Sequence, residues 1–458
     1  MSPLLSTDEL AAALGARLGG TVRGLRRLSG GASRITSAFD LENDDGTTRP
    51  LILQMDRSGG APGRAKARLE EGLLEAAARA GVPVPEVLAA PDWEADAGED
   101  PLGGAWLVVE RLEGETIPRK ILRDPEWAAA RQALTAQCGR ALAAVHTIDP
   151  VAVAGLPWAD PLGDPLPLLD SLGEVRPALE LGVRWLAAHR PDATVPAVTV
   201  HGDFRNGNLL VDPAGLRGVL DWELAHAGDP AEDIGWLCAP AWRFGGPDEV
   251  GGFGSLAELL GAYEEAGGAP VAPERVHWWQ VYATVKWAAI CALQAWVHLG
   301  GSTRSVELAA IGRRVCESEW DLFVLLGVRP PADVPEPAAA AGPLPPFGRP
   351  TAAELTEAVR EYVEGLMERG QGAAGFEARV ARNALGIVER ELRLGPSVAA
   401  AHAARLAELG YDDDAALATA LRAGDLDADW KRVAPALAAS ARDQLLVANP
   451  VYLPATTA

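Results

Sequence analysis

The sequence predicts an α+β protein, with a small strand-rich lobe, a larger helical lobe and a small all-helical C-terminal domain. Three observations lead there. Strand-like segments crowd the first 112 residues, helical periodicity prevails from about 125 to 325, and a Pro/Ala-rich stretch separates both from a last run of helices. At 458 residues the chain is too long for one ordinary core, and with 48% hydrophobic residues it can bury more than one. The expected divisions are 1–112, 113–328, a linker at 329–350 and a helical domain at 351–458.

In the first lobe, "RGLRRLSGGASRITSAFDLEN" reads as two strands around a glycine turn, and "DDG" turns the chain into a third strand, "PLILQMD". Residues 64–80 follow as a helix, stopped by Gly81 with Pro83 and Pro85 beyond, and "AWLVVERLEG" is a further strand running into a connector. Helical periodicity then covers 125–148, 168–190 and 274–299. In the last of these Trp278, Val281, Val285, Ala288, Ala292 and Trp296 recur at three and four residues, the pattern of a core helix. The remaining aromatic residues and Trp242 are candidates for the lining of an acceptor pocket. "RPPADVPEPAAAAGPLPPFGRP" favours an extended linker. Beyond it, Leu355, Val359, Tyr362, Val363 and Leu366 are spaced for a helix that ends at Gly370. The tail carries no chemical motif, so a protein partner or self-association is its expected use.

A formal charge of −22 argues against nucleic acid and against anionic membranes as partners. No run of residues is apolar and long enough to cross a bilayer, and no leader pattern opens the chain, so a cytoplasmic protein is expected. Cysteines 138, 238, 291 and 316 are scattered without a CxxC pair, as suits reduced, buried thiols.

The densest chemistry lies in "VHGDFRNGNLLVDPAGLRGVLDWE", residues 200–223. "NLLVD" and "LRGVLDW" are apolar runs separated by "PAG", which predicts an antiparallel hairpin turning at Asp212, Pro213 and Gly215. The midpoint between Asn208 and Asp221 falls at that turn, so folding brings these two oxygen ligands together at the open end. Such a pair suits Mg2+, which takes one or two protein oxygens and fills its other positions with water and phosphate. Asp203, in the loop that enters the hairpin, can face the same ion or a substrate hydroxyl. In "GDPAED", Asp229 is placed to cap a helix with Pro230 in its first turn and Glu232 completing a box-like arrangement.

The order "HGD....N" followed by "LDWE" resembles the catalytic segment of the aminoglycoside phosphotransferase family, relatives of the protein kinases. "HGDFRNGNLL" and "LDWELAHAGDPAEDIGWLC" are most similar to the kinase-like domains fused to acyl-CoA dehydrogenases in some proteins. The resemblance covers roughly 20–325 and implies a two-lobed protein-kinase-like fold that binds ATP, with GTP not excluded, and Mg2+. By it, Asp203 takes or orients the proton of a substrate hydroxyl, Arg205 assists, and Asn208 and Asp221 hold the metal. His201, Asp229 and Asp233 are structural, with Asp233 bracing the catalytic loop. Glu223 and Trp242 stand near the metal or substrate, the bland alternative for Glu223 and Arg205 being surface ion pairs. Nucleotide contacts fall to Gly30, Gly31 and Ser33 in "LSGGASR", whose backbone can drape over phosphates, and to Gln54, Glu70, and the hinge residues Glu110 and Leu112.

One position departs from the family's pattern. Glu70 matches the helix glutamate that pairs with a phosphate-binding lysine, but the residue aligned with that lysine is Gln54, which carries no charge. Either another cation compensates, or the chain is a catalytically impaired pseudokinase or binding module. As an enzyme it is expected to phosphorylate the hydroxyl of a small molecule, such as a hydroxyacyl-CoA, with an aminoglycoside as the alternative substrate.

Overall fold

The computed structural model describes residues 5–28, 34–56, 60–94, 100–102, 104–158, 165–192, 195–339, 351–369 and 373–453. Gly30, Gly31 and Ser33 lie outside them. In chain order the elements begin with α1 (Thr7–Leu18), β1 (Thr21–Arg27), β2 (Arg34–Glu42), β3 (Thr48–Asp56), α2 (Gly60–Ala80), β4 (Val87–Ala89), β5 (Trp106–Glu110), α3 (Pro118–Arg123) and α4 (Ala128–Val145). Then come α5 (Pro165–Leu172), α6 (Pro177–Ala188), β6 (Val198–Val200), β7 (Leu209–Asp212), β8 (Gly215–Val219), β9 (His226–Gly228), α7 (Pro230–Cys238) and α8 (Leu256–Glu265). The chain finishes with α9 (Pro273–Leu299), α10 (Val306–Gly312), α11 (Val315–Leu325), α12 (Ala352–Arg369), α13 (Ala373–Leu409), α14 (Asp414–Ala423) and α15 (Trp430–Ala448).

Two compact units result, one of Met1–Ala159 with Asp192–Val276, the other of Asp160–Pro191 with His277–Ala458. The first unit opens with α1, an element absent from the expectation, although its capping box is legible: Ser6 Oγ accepts the Glu9 N–H, and the Glu9 carboxylate accepts the Ser6 N–H at 2.8 Å. An antiparallel sheet follows in the order β1-β2-β3-β5-β4. Side chains alternate across a strand, so Phe39, Leu41, Leu51 and Leu53 pack with Leu14 of α1 into one core. Arg34, Thr36, Ala38, Ile52 and Gln54 point to the opposite face and line a cavity. The β2/β3 register sets Thr36 opposite Gln54 and Arg34 opposite Asp56.

The second unit unites the tail with earlier helices. Leu417, Leu421, Val433 and Leu437 from α14 and α15 share a core with Leu181 of α6 and Phe323 of α11. Arg422 reinforces it by pairing with Glu180 and Asp170. The segment 329–350 therefore does not divide the compact units, because residues on both sides of it bury the same apolar surface. The helix expected at 168–190 is two, α5 and α6, separated at Gly173, whose φ of +71° ends the first. In α9, Trp278, Val281, Val285, Ala288 and Ala292 are buried as the pattern predicts. Trp296 is half exposed, being beyond Ala292, the last α9 residue in that core. Leu355 and Val359 of α12 are also about half exposed. Among the described residues no helix is long and apolar enough to cross a membrane.

Candidate active site

The hairpin β7–β8 forms with its turn at residues 213 and 214, pairing Asp212 with Gly215 and Leu209 with Val219. At its open end the Leu220 N–H donates to the Asn208 carbonyl at 2.9 Å; a register shift between Leu210 and Val211 thus sets Asn208 opposite Leu220, the residue before Asp221, and not opposite Asp221 as the midpoint predicts. Asp221 has a φ of +65°, a left-handed conformation that costs a non-glycine residue about 1 kcal/mol or more and is held by its surroundings.

Asp233 organises the preceding loop. Its two carboxylate oxygens accept the backbone N–H groups of His201 at 2.7 Å and Gly202 at 2.9 Å. His146 Nε2 lies 3.3 Å from the same carboxylate, and its Nδ1 is 2.8 Å from the Tyr263 hydroxyl. Burial alone would raise the Asp233 pKa, but His146, His201 and the backbone donor together hold it below the ordinary carboxylate value. Gly202 is required at its place: its φ is +76°, and a Cβ there would lie 2.3 Å from the Leu224 carbonyl oxygen. His201 Nδ1 accepts the Asp203 N–H at 3.2 Å while Nε2 donates to the Leu220 carbonyl at 3.1 Å, a neutral tautomer consistent with a pKa lowered by burial. His201 thereby ties the loop to the residue before Asp221.

Asp203 is fixed from three directions. Its Oδ1 accepts from Arg205 Nε at 2.9 Å and from Trp236 Nε1 at 2.8 Å, and its Oδ2 accepts from Asn208 Nδ2 at 2.6 Å. Arg205 in turn lies over the Trp242 ring, 4.4 Å from its centroid. Trp242 is buried beneath that guanidinium, and does not line the cavity on the sheet. Trp236 was not among the candidates from sequence. Its place one turn after Glu232 and Asp233 on α7 is the signal that would have found it. Asp229 caps α7 by accepting the Ala231 N–H at 2.9 Å, and also receives Arg275 Nε at 2.8 Å; Glu232 meets His226 Nε2 at 3.0 Å.

The cavity, of about 360 Å³, brings together Gln54, Glu70, Glu110, Leu112 and Asp221. Ala38, Ile52, Val109, Leu112, Leu210 and Leu220 give it apolar walls. Its charged end is built by Arg34, whose Nη1 pairs with Glu70 and whose Nη2 is 3.7 Å from Glu223. Burial alone would lower the Arg34 pKa, but Glu70, then Asp221 and Glu223, outweigh it and keep the guanidinium firmly charged. Burial, then the charge of Glu223, pushes the Asp221 carboxyl up to about 6, with Arg34 opposing. The donor set fits Mg2+. Because Asn208 directs its NH2 to Asp203, its Oδ1 is left as a second hard oxygen that could serve with the Asp221 carboxylate. Among the described residues no group of three His, Cys, Asp or Glu side chains is placed to hold a metal ion by itself.

The sequence pattern of the "Phosphotransferase enzyme family" matches residues 24–279, more than half of the chain. The protein belongs to this family. Its fold agrees: a solved Ralstonia eutropha protein described as an aminoglycoside phosphotransferase superposes with a TM-score of 0.53 at 20% identity, over 70% of this chain and 98% of the other. Mouse acyl-CoA dehydrogenase family member 10 is 30% identical over 208 residues, 42% of this chain and 18% of that protein. Human acyl-CoA dehydrogenase family member 11 is 32% identical over 97 residues, 19% of this chain and 12% of that protein. The chain thus matches less than a fifth of the length of these relatives. A separate domain of unknown function (DUF6285) matches residues 368–452, within the second unit. As a family member the protein is a phosphotransferase of kinase-like fold.

Proposed function

We propose that the first unit is an ATP- and Mg2+-dependent kinase that transfers the γ-phosphoryl group to the hydroxyl of a small molecule. The fixed carboxylate of Asp203 carries this proposal. Among the described residues its Oδ1 accepts two hydrogen bonds and its Oδ2 one, which leaves one lone pair on Oδ2 to receive the hydroxyl proton. As that proton passes to Asp203, the acceptor oxygen bonds to the γ-phosphorus and the bond from phosphorus to the bridging oxygen breaks, releasing ADP. Asn208 and Asp221 would hold Mg2+, which when bound would supply neutralising charge to the phosphate oxygens. Asp233 and His201 keep the loop in position, so that transfer depends on orientation and on fixed charge.

The apolar cavity suits a purine base, with Glu110 and Leu112 at the strand edge to meet it and GTP a competing ligand for ATP. For the acceptor we favour a hydroxyacyl-CoA or similar metabolite over an aminoglycoside, because both curated relatives are named as acyl-CoA dehydrogenase family members. Cytoplasmic action is consistent with four free, buried cysteines.

Calorimetric titration of ATP with and without Mg2+, into wild type and Asp221→Asn, tests the site. Binding that needs Mg2+ and weakens in the variant is expected; no binding in either condition overturns the proposal. ADP release with a panel of hydroxyacyl-CoAs and aminoglycosides then separates the acceptors.

A further inference from the structure

A neutral amide at position 54 cannot offset phosphate charge, yet a cation reaches the same end of the cavity from the adjacent strand. Thr36 is the cross-strand partner of Gln54, and Arg34, two residues away from Thr36, lies on the same face of the sheet. Its guanidinium meets Glu70 of α2 and approaches Glu223, two residues past Asp221. Arg34 lines the cavity and its side chain retains 12% exposure, so it can meet a ligand held there. On the same cavity wall the side-chain oxygen of Gln54 is buried without a hydrogen-bond partner among the described residues.

We propose that Arg34 has taken over from the strand residue at position 54 the task of binding the nucleotide's phosphates, with Glu70 as the residue that positions it. This rests on the nucleotide-binding role of the cavity. A planar guanidinium offers two parallel donors to a phosphate, where a lysine offers a point charge. Glu70 orients the fork through Nη1 and leaves Nη2 on the side of Asp221 and Glu223, where triphosphate oxygens shared with a metal would lie. The competing role for Arg34 is purely structural, as the counter-ion of Glu70, Asp221 and Glu223.

The two roles differ in which part of the nucleotide they serve. The full chain would be titrated with Mg-ATP and with adenosine, as wild type, Arg34→Ala, Arg34→Ala/Glu70→Gln, and the latter with Gln54→Lys added. The double variant removes together with Arg34 the carboxylate it pairs with most closely, leaving Asp221 and Glu223 as in Arg34→Ala, so it keeps the test valid if Arg34→Ala alone fails to fold. Removing a charge-assisted phosphate contact should weaken Mg-ATP binding about ten- to a hundredfold. Adenosine binding should stay within about twofold of wild type, since its contacts are to the apolar walls. Adding Gln54→Lys should restore part of the lost Mg-ATP affinity. Unchanged Mg-ATP affinity in the double variant, or an equal loss for adenosine, overturns the proposal. If Asp221→Asn still weakens Mg-ATP while the Arg34 variants do not, the nucleotide site stands and only the role of Arg34 falls. Failure of wild type to bind Mg-ATP overturns both.

Discussion

The two sides of the candidate site are built on opposite electrostatic terms. Around Asp203 and Asp233 each carboxylate meets fixed donors: backbone N–H groups, an indole, an amide, a guanidinium and a histidine. Around Asp221 three carboxylates, Glu70, Asp221 and Glu223, gather about Arg34, and Asp221 is held in a left-handed conformation with a raised pKa. The first arrangement stabilises the fold and sets geometry. The second holds surplus negative charge in place, at a cost that a bound cation would offset.

Substitutions at the aspartates should therefore diverge. Asp203→Asn should lower turnover by about 10²–10⁴-fold while ATP affinity changes little, as measured by ADP release and calorimetry on the same preparation. Asp233→Asn should cost about 3 kcal/mol or more of stability, because an amide cannot accept from all three donors without burying an unpaired group. Its signature is a pH dependence: since the folded-state pKa of Asp233 is depressed, the stabilisation is complete above the ordinary aspartate range and is lost as pH falls through the lower folded value. Melting of wild type and variant should thus converge only in acid.

Asp221→Asn reverses the sign. With a folded pKa raised from 3.8 to about 6, the carboxylate favours folding below pH 4 relative to its effect above pH 6, where a buried charge must be kept. Without Mg2+ the variant should be more stable than wild type at pH 7–8, by up to about 3 kcal/mol, and equal to it near pH 3. Asparagine tolerates the left-handed backbone, so the comparison is not confounded by strain. A thermal melt that falls at pH 8 would show Asp221 to be part of the braced side. The smallest effect is expected at Trp242→Leu, where loss of the cation–π contact, worth about 0.5–2 kcal/mol, should loosen Arg205 and lower turnover by about tenfold or less.

Much of the braced side can be read from a short stretch of sequence because its contacts are local. The hairpin turn, the bond of Asn208 to Asp203, and the cap by Asp229 depend on residues within about fifteen positions of each other. His146 and Tyr263 were not legible: His146 reaches Asp233 from 87 residues away, Tyr263 meets His146 from 117 residues away, and neither belongs to a motif. Arg34 is an intermediate case. The turn at Asp44–Gly46 fixes the β2/β3 register, so that paired positions sum to 90, and alternation then puts Arg34 on the face of Gln54. What the sequence lacked was the position of Glu70 against that face, which depends on how α2 packs. In the tail, helical period was clear, whereas its packing partners, Leu181 and Phe323, lie far back in the chain.

That last packing sets an order of events at the ribosome. The surface of α5 and α6 with Asp170, Glu180 and Leu181 is made early, but the residues that cover it, Leu421, Arg422, Val433 and Leu437, emerge some 240 residues later. The second unit cannot finish folding until α14 and α15 have left the ribosome, and until then its apolar surface is available to chaperones. A chain that stops short of α14 would keep that surface exposed permanently, and should be recognised as defective by the cell's proteases even though every residue of the candidate active site has been made.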